Sequence, residues 1–341
     1  MAKPPLAAVL GDINRDLFLR LRYFPRPGRD NLAEASAWAL GGSAANTAVA
    51  LARLRVPASV IGRVGSDPEG QALLRELARS GVNTSAVQKD PARPTGICVI
   101  PVISSGERTL IGIRGANSAL QRDGIVEAID GIRHLHVSGY ALIEPESRRA
   151  ALLALETARK SGATTSLDFG WQPAAGASDI LRQCLRHVSL ALPSAPELRM
   201  AFGERRLSRA ASKARARGVQ QVAVTLGAGG CRVFAGDATF RVPQFESRAI
   251  NTCGAGDAFN AGYILGMLEA ASAEACAILG NAAGAAVVES ESSHGAVSRE
   301  RLSKIILRAK EDPRLRRFDT AFGDAMELLS GRSKRGRRQK P

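Results

Sequence analysis

One segment brings together groups that could bind an anion and take up a proton: Asn251-Thr-Cys-Gly-Ala-Gly-Asp-Ala-Phe-Asn-Ala-Gly262. Glycines at 254 and 256 admit backbone angles closed to other residues, and a helical pattern starts directly after them. Successive amide N–H groups can therefore converge on a phosphate-like anion at a helix N-terminus. Asp257 falls in the first helical turn, where the dipole favours its ionised form, and a carboxylate beside a bound phosphate can accept a hydroxyl proton. The plainer alternative is an aspartate that only starts a helix after a glycine loop. A second constellation, Gly11-Asp-Ile-Asn-Arg-Asp16, follows the first apolar run and places Asp12, Asn14 and Asp16 at a strand end, where open α/β folds bind ligands. Paired acceptors suit a polyol, whose hydroxyls lose water on entry and must be re-satisfied. Standing alone, the same loop would be a turn. The chain has no Gly-x4-Gly-Lys-[Ser/Thr] segment and no Gly-x-Gly-x-x-Gly after its first strand, which argues against P-loop and dinucleotide-binding sites.

These groups need elements to hold them. Apolar, β-rich runs predict strands at Ala7–Leu10, Ser59–Ile61, Leu135–Val137, Thr164–Leu167, Leu190–Leu192 and Gln221–Thr225. Helical patterns lie between them, at Ala44–Leu54, Gln71–Ser80, Pro145–Ser161 and Pro196–Phe202, and dominate from Ala255 to Lys310. Such alternation implies an α/β fold whose mainly parallel central sheet is covered on both faces. Two stretches, Asp16–Leu40 and Gly96–Arg114, break the rhythm. In the second, apolar runs at 97–103 and 108–113 flank the turn Ser104-Ser-Gly-Glu107, a hairpin that cannot belong to a parallel layer. Both are expected to form a small β subdomain. The organisation expected is one domain over 1–310, with a lid from about 16–40 and 96–114, then a 311–341 extension ending in a basic, disordered tail from Gly331.

The 341 residues, 45% of them hydrophobic, can supply a large core. Five cysteines (Cys98, Cys184, Cys231, Cys253, Cys276) are odd in number, dispersed and free of Cys-x-x-Cys pairing. Neither a disulfide framework nor a zinc site is indicated, and a reducing cytoplasm is expected. No apolar run approaches the length of a membrane span. Net charge is +15, but much of the excess sits in the terminal run, and aromatics are only 4% with none interleaved there, which weighs against a nucleic-acid surface.

Four segments, in order, carry a family resemblance. Gly41-Gly-Ser-Ala-Ala-Asn-Thr-Ala48, Gly62-Arg-Val-Gly-Ser-Asp-Pro-Glu-Gly70, Thr225-Leu-Gly-Ala-Gly-Gly230 and Asn251–Asp257 are each similar to a signature of the ribokinase-like (PfkB) carbohydrate kinases. The resemblance implies a three-layer α/β/α domain with a small β-sheet lid, ATP and Mg2+ as cofactors, and phosphoryl transfer to a sugar hydroxyl. Under it, Asp257 matches the general base, and the amides of Gly254, Ala255 and Gly256 match an anion hole for the transferring group. Thr225, Gly227 and Gly230 match the nucleotide loop, and Asn281 a position beside the adenine. Asn14, Asp16, Gly42 and Asn46 match sugar-contacting positions. A homodimer through exposed lid residues such as Ile97, Val99 and Ile111 is also implied.

The departures from the pattern bear on cofactors and substrate. Asn251, with Cys253 beside it, replaces an aspartate that the family uses near a monovalent-cation site, which argues against activation by K+. Ser194-Ala-Pro-Glu197 keeps the glutamate that organises Mg2+ through water but has Ser194, on the nucleotide side, for the usual asparagine. Asp168-Phe-Gly-Trp-Gln-Pro173 resembles an Asp-Pro-Asn-Trp-Arg-Pro stretch, with Gln172 for a carboxylate-binding arginine. Gly115-Ala-Asn117 resembles ribokinases, whereas His136-Val-Ser-Gly-Tyr140 and Gly106-Glu-Arg108 look like relatives acting on fructose, 2-keto-3-deoxygluconate or other keto sugars. Tyr140 stands where ribokinases grip ribose with a glutamate. Arg114 either faces an acidic sugar or points outward. A nucleoside kinase, needing Trp38 or Phe24 to stack a base, and a catalytically weak sugar-sensing or nucleic-acid-binding protein on the same fold are the alternatives.

Overall fold

The computed structural model describes residues 5–104, 107–290 and 297–331. Its strands are β1 (Ala7–Leu10), β2 (Asn14–Leu21), β3 (Ala35–Gly41), β4 (Ala58–Gly65), β5 (Val87–Asp90), β6 (Gly96–Ile103), β7 (Ile111–Ile113), β8 (His134–Ser138), β9 (Thr164–Asp168), β10 (Leu190–Ala191), β11 (Gln221–Thr225), β12 (Cys231–Ala235) and β13 (Ala238–Val242). The helices are α1 (Ser43–Arg53), α2 (Pro68–Arg79), α3 (Ile125–Ala128), α4 (Pro145–Lys160), α5 (Trp171–Gly176), α6 (Ser178–Cys184), α7 (Ala195–Phe202), α8 (Leu207–Arg215), α9 (Ala255–Leu268), α10 (Ala273–Val288), α11 (Arg299–Lys310) and α12 (Asp319–Leu329).

The large sheet has the order β13-β12-β11-β10-β9-β8-β1-β4-β5. It is parallel except at one edge, where β12 runs antiparallel to both β11 and β13. Successive residues of β1 enter different cores: Ala7 and Val9 pack beneath α1, α2 and α9 to α12, and Ala8 and Leu10 beneath α4 and α6 to α8. This two-sided burial makes three layers and explains why the strands read as unbroken apolar runs.

The second sheet, β3-β2-β6-β7, draws on both anticipated lid stretches. It is mixed: β2 pairs antiparallel with β3 (Leu17 opposite Trp38) and parallel with β6 (Asp16 opposite Cys98), and β6 and β7 form the expected hairpin (Val99 opposite Ile111). β2 begins at Asn14 rather than 16, so the loop after β1 leads straight into the lid and carries Asp16 out on a strand. Helix α2 also starts earlier than expected. Asp67 caps it, accepting from Gly70 N at 2.8 Å, and Pro68 fits its first turn.

The segment after residue 310 joins the main core instead of standing apart. Leu315, Phe318, Phe322, Ala325 and Leu329 are all buried in the cluster built by α10 and α11. The basic run expected to be disordered lies, from 332 onward, outside the described residues. All five cysteines are buried and free. Among the described residues no helix is long and apolar enough to cross a membrane.

Candidate active site

Two of the sequence signatures meet where α1 packs on α9. Gly254 begins α9 in the left-handed region, φ 78°, a conformation that any Cβ would strain, and it leaves the helix start without a side-chain cap. Just before it, Asn251 Oδ1 accepts from Cys253 N at 2.8 Å and closes the turn. Gly42 performs a similar service for α1: its φ is 90°, and a Cβ there would come 2.3 Å from the carbonyl oxygen of Asp12. The α1 start is thereby pressed against the loop after β1, and Ser43 and Asn46 face α9. Ser43 Oγ donates to Asp257 Oδ1 at 2.8 Å, and Asn46 Nδ2 to Asp257 Oδ2 at 2.9 Å. Burial raises the Asp257 pKa to about 6; the Asn46 and Ser43 hydrogen bonds pull it down, and Glu197 adds to the rise.

Behind Asp257 stands Asp168, at the end of β9 and 3.3 Å from the same Ser43 hydroxyl. Burial, then Glu197 and Asp257, hold its carboxyl well above the usual range. A hydroxyl has one proton to give. The shorter contact is to Asp257, and the one hydroxyl links the two carboxyls in the chain Asp168–Ser43–Asp257. Glu197, at the start of α7, lies close enough to raise both acids, but its Oε2 accepts from Ser194 N at 2.7 Å in a capping box with that serine. Ser194 is thus occupied as a helix cap. Among the described residues no cluster of three or more His, Cys, Asp or Glu groups is arranged to hold a metal ion directly.

At the lid side, Asp16 points from β2 toward Asp257. Burial first, and then that neighbouring acid, raise its pKa to about 7. Its Oδ1 and the Oδ1 of Asn46 are buried without a partner. Asn14 Oδ1 accepts from Asn117 Nδ2 at 2.8 Å, and Asn117 also bonds Ile13 N and O, stitching the β1–β2 loop to the end of the lid hairpin. Arg114 turns inward and meets Asp12 through two contacts, Nη2 to Oδ1 at 2.7 Å and Nε to Oδ2 at 3.1 Å. The outward-pointing alternative is therefore corrected, and the charges of Asp12 and Arg114 offset each other. Tyr140 is half-buried, its hydroxyl pushed up to about 12 by burial and by Asp168, Glu197, Asp12 and Asp257. Trp38 is on the far face of the lid, 52% exposed, with the Arg15 guanidinium 5.9 Å from its ring, so it is not available to stack a ligand at the base.

The small sheet and its hairpin touch the loop before α9 at two places. Cys98 and Ile100 of β6 pack against Cys253, and Arg108 donates to Thr252 Oγ1 with its Nε buried and unpartnered. At the opposite end, the Thr225–Gly230 loop is closed by Leu226 N to Gly230 O at 2.8 Å, Gly229 N to Leu226 O at 2.9 Å and Gly230 N to Gly227 O at 3.0 Å. Asn281 does not project a free amide: Nδ2 donates to Val242 O at 3.3 Å and Pro243 O at 3.0 Å, fixing the chain beside that loop.

Residues 5–299 match the family described as pfkB family carbohydrate kinase. The chain belongs to that family. This kinase is 30% identical over 295 residues to a ribokinase of Haemophilus influenzae, covering 85% of this chain and 94% of that protein. It is 31% identical over 294 residues to an ATP-dependent ribose-1-phosphate kinase of Halopiger xanaduensis, covering 84% and 93%. The structure of Arabidopsis thaliana ribokinase complexed with ribose and ATP superposes with a TM-score of 0.77 at 25% identity, covering 89% of this chain and 99% of that one. The chain is accordingly an ATP-dependent carbohydrate kinase with the ribokinase-like three-layer fold. Ser43 and Asp168 are the members of its acidic centre that the sequence reading did not single out. Their signals were adjacent to ones used, Ser43 inside the Gly41–Ala48 signature and Asp168 at the head of the Asp168–Pro173 stretch.

Proposed function

We propose that the kinase transfers the γ-phosphoryl group of ATP to a hydroxyl of ribose, fructose, 2-keto-3-deoxygluconate or a related keto sugar, with Asp257 as general base. The observation that carries this reading is the fixed, buried Asp257 carboxylate at the start of α9, held from α1 and facing two unpartnered acceptors, Asp16 Oδ1 and Asn46 Oδ1. Sugar hydroxyls would satisfy those acceptors and so recover the cost of leaving water. The attacking hydroxyl gives its proton to Asp257 as its oxygen bonds to the γ-phosphorus. The bond from that phosphorus to the β,γ-bridging oxygen breaks, and ADP leaves. The amides of Gly254, Ala255 and Gly256 receive the charge spread over the transferring group. The names of the two relatives, ribokinase and ribose-1-phosphate kinase, support a pentose among the acceptors.

Mg2+ brought by ATP would supply neutralisation of the phosphate charge. The acids whose carboxyls are held high, Asp168 and Glu197, fit a role in gripping its water shell, because a cation relieves the mutual repulsion of carboxylates. Asn251, neutral and already accepting from Cys253 N, supports turnover without K+. The lid would close over the sugar to exclude water as a competing acceptor. Its outer face, where Trp38, Ile111 and Ile113 are more than half exposed, supports pairing of two copies, which solution scattering at micromolar concentration would refute by returning a monomer.

A coupled ADP-release assay with ribose, fructose, 2-keto-3-deoxygluconate and nucleosides tests the function directly. Sugar-dependent turnover is expected with at least one of the sugars. Sugar binding without ADP release from any of them would favour a sensor on the same fold.

A further inference from the structure

The chain beyond the family-matched region reaches back to the loop assigned above to the nucleotide. Phe318 packs on Phe240 of β13 with ring centroids 6.1 Å apart, and Phe322 on Phe245 at 6.0 Å. Next to Phe318, Arg317 donates from Nη2 to the carbonyl oxygen of Arg241 at 2.7 Å. Arg241 in turn sets its own guanidinium on the loop, Nε and Nη2 meeting the carbonyl oxygen of Gly229 at 3.0 and 2.9 Å. A continuous path of contacts therefore runs from the C-terminal segment through β13 into the loop Leu226–Gly230. The loop has little room to move along that path. A Cβ on Gly230 would come 2.2 Å from Val242 O, and one on Gly229 would come 2.9 Å from Leu226 Cβ and 3.3 Å from Arg241 Nη2.

We propose that Arg241 and Arg317 are positioning residues for ATP, and that the C-terminal segment braces the nucleotide loop through them. Two donors on one carbonyl fix the plane of the Gly229–Gly230 peptide, and a loop already held in its bound geometry loses less conformational freedom when the ligand arrives. The brace rests on the reading that Thr225–Gly230 contacts ATP. Both arginines are solvent-exposed, so replacing them leaves the core intact.

The test uses the full chain with the substitutions Arg241→Ala, Arg317→Ala and both together, titrated with MgATP by calorimetry and assayed for turnover. Expected is a weakening of MgATP binding by about three- to tenfold, the scale of one ordinary hydrogen bond, with the sugar KM within about twofold of the unaltered chain. Because Arg317 acts through Arg241, Arg317→Ala should add little to Arg241→Ala. A merely structural role would lower the melting temperature and leave this split between the two ligands unmoved. Unchanged MgATP affinity in all three variants, an equal loss for ATP and sugar, or fully additive effects would each overturn the brace. Amide exchange separates that failure from failure of the underlying reading. If MgATP does not slow exchange across Leu226–Gly230 in the unaltered chain, the loop is not the nucleotide element and the brace falls with it; if protection appears and persists undiminished in the variants, the brace alone is overturned.

Discussion

Two helices at the candidate site carry an acid at their third residue, Asp257 on α9 and Glu197 on α7, and the two acids are used in opposite ways. Glu197 turns back on its own helix, accepting from Ser194 N while Ser194 Oγ receives Glu197 N at 3.5 Å. Its geometry is set within four residues. Asp257 has no such partner at hand, because the residue before the helix is Gly254 in the left-handed region with no side chain to reciprocate. Its oxygens go to Ser43 and Asn46, more than two hundred residues away. A capping acid ties its own turn together, whereas an acid held from another helix leaves its helix start without a side-chain cap. What separates the two is the residue before the helix, serine in one case and glycine in the other.

The largest expected effect breaks the α9 side. Asp257→Asn keeps the shape but turns one of two accepting oxygens into a donor and removes the proton acceptor, so turnover should fall by about 10²–10⁴-fold while ATP and sugar affinities change little. Near-normal turnover would remove Asp257 as the base.

The same substitution should act on stability with the opposite sign. The folded-state pKa of Asp257, about 6, lies above its ordinary 3.8, so between those values the folded protein holds more protons than the unfolded chain. Stability therefore falls as pH rises through that window, and at pH 8 the fold carries the full cost of a buried carboxylate. Asp257→Asn removes that cost. Its stability relative to the unaltered chain should rise by about 2–3 kcal/mol between pH 4 and pH 8, as read by denaturant titration at both pH values.

The matching change on α7, Ser194→Ala, removes one half of the capping box. It should destabilise by about 1 kcal/mol and leave turnover within a few-fold, since Glu197 keeps its bond to the backbone of residue 194. A collapse of turnover in a folded Ser194→Ala protein would show that the α7 start is part of the chemistry and that the two helices are less different than their geometry makes them.

How much of this was legible follows from how local each feature is. The βαβ order, the two signatures on α1 and α9, and the lid hairpin are written within short windows of sequence, as runs and spacings. Ser43 and Asp168 lie 125 residues apart, and only the fold brings them to one hydroxyl contact. The Asp12–Arg114 pair is of the same kind: each partner looked like a ligand residue because the other, about a hundred positions away, was invisible. The β12–β13 edge was missed for a different reason. Most of β13 is exposed, so it lacks the apolar run that marked the buried strands. Helix α12 left a usable trace, with Phe318, Phe322, Ala325 and Leu329 spaced along one helical face, but the segment was placed in an extension outside the domain, which was ended at residue 310.

The smallest expected effect sharpens the account of Asp257 without removing it. Ser43→Ala deletes one of the two hydrogen bonds that pull the Asp257 pKa down, leaving burial and Glu197 opposed only by Asn46. The pKa should rise above about 6, moving the acid limb of the kcat profile upward by about half to one unit. Turnover would then be reduced a few-fold at pH 6 and nearly unchanged at pH 8, where the carboxylate is ionised in both proteins. Asp16 titrates close by, at about 7, raised in part by Asp257 itself, so the two acids titrate together in the free enzyme. Their joint ionisation shapes kcat/KM, which reports the free enzyme, so the Ser43→Ala shift is read on kcat with sugar bound. An acid limb of kcat that does not move would mean that the profile reports a group other than Asp257, and that the hydroxyl shared with Asp168 orients the base without tuning it.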